Sequence, residues 1–351
     1  MNIKCANLEP FKYTSTMSEI TQKVILVTGA GGYIGSIMTY MLLQQGYRVI
    51  ALDNYSTGYR EPLSILCQKY QDRIELVEAD VRDDLSAVLE NKSIDGVLHL
   101  ASPCDVDESA RDPQKYIDNI ENGTSSLIQQ MRRFGVRKII FSSTCAVYGE
   151  PHRLPITESH PLRPKSQYGM SKLNAEDIIV SSGMDYLIFR YFNVCGTSDD
   201  CRFGDSKRPS TALIQNAVRG ALGIAKFKMT CPNVNTKDKT PIRDYIDVAD
   251  LSWAHILGLE YLFRGGPSDR INLGAGRGYS VLEIVKKVES ATSQRLSIEA
   301  GTEPRQGEIK KIYASAKKAN KLLGWRTKYD ISLSINNLVK WYSKRPQGWQ
   351  R

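Results

Sequence analysis

The sequence predicts an α/β protein, a doubly wound parallel sheet followed by a smaller, mixed α/β C-terminal lobe. From residue 24, short β-branched runs alternate with amphipathic stretches, the pattern of a parallel sheet covered by helices on both faces. The first run passes directly into a glycine-rich turn and then a helix. After about residue 193 the alternation gives way to loops rich in Gly, Pro, Asp and Lys around a few helices. A chain of 351 residues has room for two domains, or for one large domain with an appended lobe.

Strands are expected at 24–28, 47–52, 74–78, 96–100, 138–142 and 186–190, each a short apolar run, with helices between them near 35–45, 84–90, 113–134 and 168–181. Later helices are expected near 210–222, 250–263, 280–291, 315–323 and 331–343. These elements place a sheet domain over 23–192 and a lobe over 193–351. Ligands of such sheets bind outside the carboxyl ends of the strands, so the lobe is expected to close over that edge and select the substrate. Residues 1–22 lack an apolar signal-peptide core and are poor in arginine, and they are expected to form a mobile tail, with Met17 an alternative start.

Composition excludes several classes. A 41% hydrophobic and 24% charged chain reads as globular and soluble, and no run nears the roughly 18 apolar residues of a membrane span. The seven cysteines include no C-x-x-C pair, which argues against a zinc site or a disulfide framework and suits the reducing cytoplasm. The net charge of +9 is spread along the chain, so it reads as a generic basic surface rather than a nucleic-acid or membrane patch.

The turn after the first strand reads Thr28-Gly29-Ala30-Gly31-Gly32-Tyr33-Ile34-Gly35. Gly29 permits a tight turn, Gly32 the close approach of a pyrophosphate to backbone N–H groups, and Gly35 the packing of helix on strand. Asp53 ends the second strand 18 residues after Gly35, where a carboxylate accepts from the adenosine ribose and repels the extra phosphate of NADP. Arg60 nearby keeps some NADP use open. Asp80, after the third strand, has the position to meet the adenine edge or to act as a turn acid, while Leu100 and Ala101 end the fourth strand beside the cofactor.

Tyr168 and Lys172 stand one helical turn apart, so an ammonium beside a phenol would favour its ionised form and make a base of a weak acid. The same spacing recurs at Tyr313 and Lys317. Position separates the two pairs. The fifth strand leads into Ser142-Ser143-Thr144, whose hydroxyls face the ligand crevice, and Tyr168 follows at a helix start, whereas Tyr313 comes too late.

The glycine turn, the hydroxyl-bearing strand and the Tyr-x-x-x-Lys pair, in that order, resemble the extended short-chain dehydrogenase/reductase family with its Rossmann-type sheet. Leu52-Asp53-Asn54, Val147-Tyr148-Gly149, Arg190-Tyr191-Phe192-Asn193, Arg243-Asp244-Tyr245-Ile246 and Leu323-Gly324-Trp325 extend the likeness over residues 23 to 345. Within that family the chain looks like the UDP-glucose 4-epimerase-like nucleotide-sugar epimerases. The resemblance implies bound NAD, with Tyr33, Ile34, Asn54, Val81 and Phe192 added to the cofactor contacts already given and Lys172 on the nicotinamide ribose. It implies that Tyr168 takes the proton of the sugar 4-hydroxyl while hydride leaves C4, that Thr144 hydrogen-bonds that hydroxyl, and that a 4-keto sugar turns and takes the hydride back on its other face. It implies contacts from Asn193, Arg243, Arg305 and Glu308 to the UDP-sugar, and a homodimer.

Cys145 and Ala146 stand where related dehydratases and decarboxylases carry acids, which argues against those reactions. Cys104 replaces a lysine near the pyrophosphate, Ile120 replaces an asparagine, and Val194-Cys195 replaces Pro-Thr. Ile312 falls where a bulky residue tends to exclude an N-acetyl group, so UDP-glucose and UDP-galactose lead as substrates. UDP-N-acetylhexosamines, UDP-pentoses or UDP-uronates remain alternatives, as do a nucleotide-sugar reductase or dehydrogenase and a non-enzymatic dinucleotide sensor or RNA-binding relative.

Overall fold

The strand β1 (Val24–Thr28) divides its residues between two cores, Ile25 and Val27 entering one apolar cluster and Leu26 the other. Burial on both faces is why the run is apolar without alternation. The fifth strand does the same, with Ile139 and Phe141 on one side and Ile140 on the other. The computed structural model describes residues 23–90, 92–229, 234–300 and 309–350. The expected tail over 1–22 lies outside them.

After β1 come β2 (Arg48–Asp53), β3 (Ile74–Glu78), β4 (Ile94–His99), β5 (Lys138–Thr144) and β6 (Asp185–Tyr191). The later strands are β7 (Asn193–Cys195), β8 (Phe227–Met229), β9 (Ile242–Asp247), β10 (Asp269–Leu273), β11 (Gly278–Ser280), β12 (Ile298–Ala300) and β13 (Lys311–Ile312). Seven strands form the central sheet in the order β10-β6-β5-β4-β1-β2-β3, every pair parallel. The chain runs outward from β1 to β3 and returns to β4 on the other side. The crevice at this reversal, beyond the carboxyl ends of β1 and β4, is where such sheets bind ligands.

The six expected strands agree with β1 to β6 to within a few residues, but the sheet takes a seventh, β10, from beyond residue 193. A helix over Val248–Phe263 also returns to this sheet, and a β-carbon on its Gly258 would lie 2.8 Å from Phe189 and 2.9 Å from Ile140. Helices at Arg60–Tyr70 and Val106–Arg111 add to the expected set. The single helix expected over 113–134 is three pieces, a turn at Pro113–Tyr116, a π segment at Ile117–Asn122 and a helix at Gly123–Arg133. Ile120, in the middle piece, is buried in the second core, so its apolar side chain has a packing role there.

In the lobe, β11, β9 and β13 form a small sheet that β7 joins through β9, while β8 pairs with β12. Because β7 follows β6 after a single residue, the lobe sheet grows directly from the end of the central one. Among the described residues no helix is long and apolar enough to cross a membrane.

Candidate active site

The glycine turn is shaped by its neighbours. Gly29 has φ +74°, and a β-carbon there would lie 2.7 Å from the Ala101 nitrogen, so the turn and the end of β4 touch backbone to backbone. A β-carbon on Gly35 would fall 2.0 Å from the Gly29 oxygen, which makes the helix over Tyr33–Gln44 sit directly on the turn. Gly32 caps this helix without a side chain, and its first turn carries no acid. The N–H groups of Tyr33, Ile34 and Gly35 are therefore the donors of a helix end suited to an anion, and the cradle fits a dinucleotide diphosphate. The side chains of Tyr33 and Ile34 do other work: both pack on the larger core, and the Tyr33 hydroxyl donates to the Gly196 oxygen at 2.8 Å, tying the helix to the lobe.

Asp53 serves the cradle itself. Its Oδ2 accepts from Gly31 N at 2.8 Å and its Oδ1 from Tyr55 N at 2.7 Å. Burial pushes its carboxyl upward against the pull of those two N–H groups. Asn54 donates to Asp80 at 2.7 Å, and Asp80 also takes the Arg82 fork at 2.7 and 2.8 Å and Arg82 N at 3.0 Å. Arg82 holds the Asp80 carboxyl down at about 2, so Asp80 is a turn acid as well as a neighbour of the crevice. The Val81 side chain is buried beneath Gly123, which leaves its backbone alone to meet a ligand. Leu100 N donates to Thr28 O at 3.1 Å, and Ala101 N contacts Thr28 Oγ1 at 3.4 Å.

Thr144, Tyr168 and Lys172 are brought together at the end of β5. Thr144 Oγ1 accepts from Ala146 N at 3.2 Å, capping the turn that follows the strand, and it lies near enough to the Tyr168 phenol to favour its ionised form. Ser166 caps the helix over Gln167–Ser181 by accepting from Gly169 N at 3.1 Å, and Gly169 presses this helix against that same turn. The Tyr168 ring meets Tyr116 edge-on at 6.2 Å. One turn on, Lys172 is buried, with its Nζ donating to Ser142 O at 2.7 Å over the face of Phe141.

The electrostatics of this pair differ from the simple expectation. Burial, followed by Tyr191 and Cys104, raises the Tyr168 phenol well above the usual tyrosine range, and the Thr144 hydroxyl opposes that rise. Burial lowers Lys172 to about 7. Burial thus works against charge on both members of the pair, opposing the activation that an ammonium beside a phenol gives. His99, which the sequence gives no reason to single out, lies beneath the cradle with Nδ1 at 2.8 Å from Thr28 Oγ1 and Nε2 at 3.1 Å from Thr124 Oγ1. Burial and then Lys172 push it down to about 3, which keeps the ring neutral.

On the lobe side, Asn193 is exposed and donates to Asp244 O at 3.0 Å. Arg243 donates to Ile242 O at 3.0 Å, pairs in register with Ile312, and lowers the otherwise raised Cys145 thiol, which sets it beside the Thr144 turn. Phe192 and Ile312 are buried in one small cluster with Val147, Tyr148, Ile156 and Ala314. The Phe192 ring is therefore engaged in packing, and Ile312 shares the same cluster. Arg305 and Glu308 lie outside the described residues. Lys207, absent from the expected set, brings its Nζ to 3.6 Å from Cys104 Sγ.

Residues 25–274 match the NAD dependent epimerase/dehydratase family. The chain belongs to this family. A UDP-glucose 4-epimerase of Lacticaseibacillus casei is 38% identical over 333 residues, covering 93% of this chain and 98% of that protein. A probable UDP-arabinose 4-epimerase of Oryza sativa is 36% identical over 342 residues, covering 93% of this chain and 83% of that protein. Among solved structures, UDP-glucose 4-epimerase from Bifidobacterium longum in complex with NAD+ and UDP superposes with a TM-score of 0.88 at 33% identity, covering 93% of this chain and all of that one. As a member of the NAD dependent epimerase/dehydratase family, this chain carries Cys145 and Ala146 directly after Thr144, so the position beside the phenol offers a thiol and a methyl group and no carboxylic acid.

Proposed function

We propose that the protein interconverts the C4 epimers of a UDP-sugar, UDP-glucose and UDP-galactose foremost, with NAD as its cofactor. The observation that carries this reading is the convergence of Thr144, Tyr168 and Lys172 at the end of β5, beside a cradle fitted to a dinucleotide diphosphate. NAD, when bound, accepts hydride from C4 of the sugar and returns it. Tyr168, as the phenolate favoured by the Lys172 ammonium and by the positive charge of oxidised nicotinamide when NAD is bound, takes the proton of the 4-hydroxyl and gives it back when the 4-keto sugar is reduced on its opposite face. Thr144, beside the phenol, hydrogen-bonds the sugar hydroxyl and orients it. Lys172 holds the nicotinamide end of the crevice. The missing acid beside Thr144 leaves water elimination without a proton donor and epimerisation without an obstacle.

The likeness to UDP-glucose 4-epimerases along almost the whole chain supports UDP-hexoses, and the rice relative keeps a UDP-pentose as a second substrate to test. A homodimer paired through helices beside the sheet and a cytoplasmic location belong to the same reading, the latter supported by the described cysteines being free. The decisive experiment follows the anomeric protons of UDP-galactose, UDP-arabinopyranose and UDP-N-acetylgalactosamine by NMR with no cofactor added. Appearance of the C4 epimer, and its loss by about 10²-fold or more in Tyr168→Phe, is the expected result. Stoichiometric release of NADH would identify a dehydrogenase instead.

A further inference from the structure

The strap that carries Lys207 is fixed from three sides at the mouth of the crevice. The Tyr59 hydroxyl donates to Ser206 O at 2.6 Å, Trp341 Nε1 donates to Asp205 O at 3.1 Å, and Trp349 N donates to Ser206 Oγ at 2.8 Å. Tyr59 N in turn donates to Gly31 O at 2.9 Å, so the strap is linked to the glycine turn through one residue. From there the half-buried Lys207 side chain crosses to Cys104, three residues beyond Ala101 and so close to where β4 touches Gly29.

A thiol is a weak acceptor for an ammonium. Among the described residues no carboxylate lies within ion-pair distance of Lys207 Nζ. Against the lowering by burial, Cys104, Asp105 and Asp205 raise the Lys207 ammonium, and Glu108 is near it as well, but none of these acids bonds it: Asp205 Oδ1 accepts from Lys207 N at 3.0 Å, Asp105 Oδ1 from Glu108 N at 2.9 Å and Glu108 Oε1 from Lys115 Nζ at 2.7 Å. A long cation is thus positioned by a rigid strap, across the gap between the two walls of the crevice, near acids but with no carboxylate among the described residues bonded to its ammonium.

We propose that Lys207 is the cation that binds a diphosphate in this crevice, reaching in from the lobe to the end of β4. The crevice receives two such groups, one from the dinucleotide and one from the sugar nucleotide. The links to Gly31 and to the loop beyond Ala101 favour the dinucleotide. This inference rests on the proposed use of NAD and of a UDP-sugar.

The test compares the wild type with Lys207→Ala, Lys207→Gln, Lys207→Arg and the double variant C104K/K207A. NAD released by acid after gel filtration gives retention, and calorimetric titrations with NAD and with UDP give the two affinities. The expected result is an NAD affinity weaker by about ten- to a hundred-fold in the Ala and Gln variants, the range of a lost charge-assisted hydrogen bond. Arg is expected to keep most of it, and moving the charge to position 104 to restore it. Gln keeps much of the packing of the stem, so it reports should Ala fail to fold. Weakened UDP binding with NAD unchanged would also support the diphosphate role and assign it to the sugar nucleotide. Unchanged affinities for both ligands in a folded variant would overturn it. A wild type that neither holds nor binds NAD would instead refute the proposed cofactor, leaving the UDP titration to judge Lys207.

Discussion

A β-carbon on Gly169 would lie 2.9 Å from the carbonyl oxygen of Ala146. This contact between the start of one helix and the turn after β5 sets the distance between the Tyr168 phenol and Thr144. Elsewhere in a helix Gly→Ala stabilises by about 1 kcal/mol. Here backbone must move, and a displacement of about 1 Å at a reacting group costs on the order of 10²-fold in rate. Gly169→Ala is therefore expected to lower kcat about 10²-fold while thermal unfolding moves by only a few degrees. A variant with full kcat would show that the helix start does not set the position of the phenol.

Lys172 gives a pH prediction whose sign follows from its burial. Its pKa is lowered to about 7 in the folded protein, so the unfolded chain binds the extra proton between about pH 7 and the ordinary lysine value near 10.4. The cost of burying the charge is fully present below about pH 7, shrinks as pH rises, and is gone above the unfolded value. Lys172→Met, which keeps the stem and removes the charge, is expected to gain thermal stability relative to wild type at about pH 6, with a smaller difference at about pH 9. Denaturation midpoints at the two pH values check this; a constant difference would mean that the folded protein keeps Lys172 protonated up to about pH 9.

The central sheet was legible because burial on both faces leaves a mark in the chain, as in the apolar runs of β1 and β5. β10 was not, since its five residues read Asp-Arg-Ile-Asn-Leu and only Ile271 and Leu273 enter the core. The helix at Arg60–Tyr70 carries Pro62 in its first turn and buries only Pro62, Leu63 and Leu66, too little for its period to stand out. Thr144, Tyr168 and Lys172 were legible as residue types at fixed spacing. The shifts of Tyr168 and Lys172 toward their neutral forms were not, because burial is a property of the packed structure. Gly169, beside the tyrosine, was a visible signal for close helix packing, whereas the approach of Lys207 to Cys104 joins residues 103 apart through a strap that has no pattern of its own.

Behind the catalytic helix, Glu176 accepts from Arg190 Nε at 2.9 Å and Nη2 at 2.5 Å and from Ser143 Oγ at 2.5 Å, with both charged side chains almost wholly inaccessible. Arg190 Nη1 continues to the Tyr148 hydroxyl at 3.2 Å, and Tyr148 to Asn272 at 2.6 Å, which joins β5, β6 and β10. Glu176→Ala leaves a buried guanidinium without its counter-ion and is expected to cost about 3–5 kcal/mol in denaturant unfolding. Removing both charges in E176L/R190M is expected to recover much of that loss. A double variant as unstable as Glu176→Ala would show that hydrogen bonding to Ser143 and Tyr148, and not the lone charge, dominates.

Asp53 separates two roles that the sequence assigned to one. Its carboxylate receives Gly31 N and Tyr55 N, and Gly58 approaches so closely that a β-carbon there would lie 2.9 Å from Asp53 Oδ1. Asp53→Ala leaves two N–H groups without their acceptor, each costing about 1–3 kcal/mol where water cannot enter, and it loosens the turn that carries Gly32. The variant is expected to lose stability and NAD affinity together. Asp53→Asn keeps one acceptor oxygen and the shape, so it is expected to hold the turn better while losing the negative charge. Its ratio of NAD to NADP affinity should then fall toward one, because the charge that repels a ribose phosphate is gone. Calorimetric titration with both nucleotides checks this. An unchanged ratio in Asp53→Asn would confine Asp53 to supporting the backbone and move the choice of cofactor to neighbours such as Arg60, whose guanidinium lies 4.1 Å from the Tyr55 ring centre.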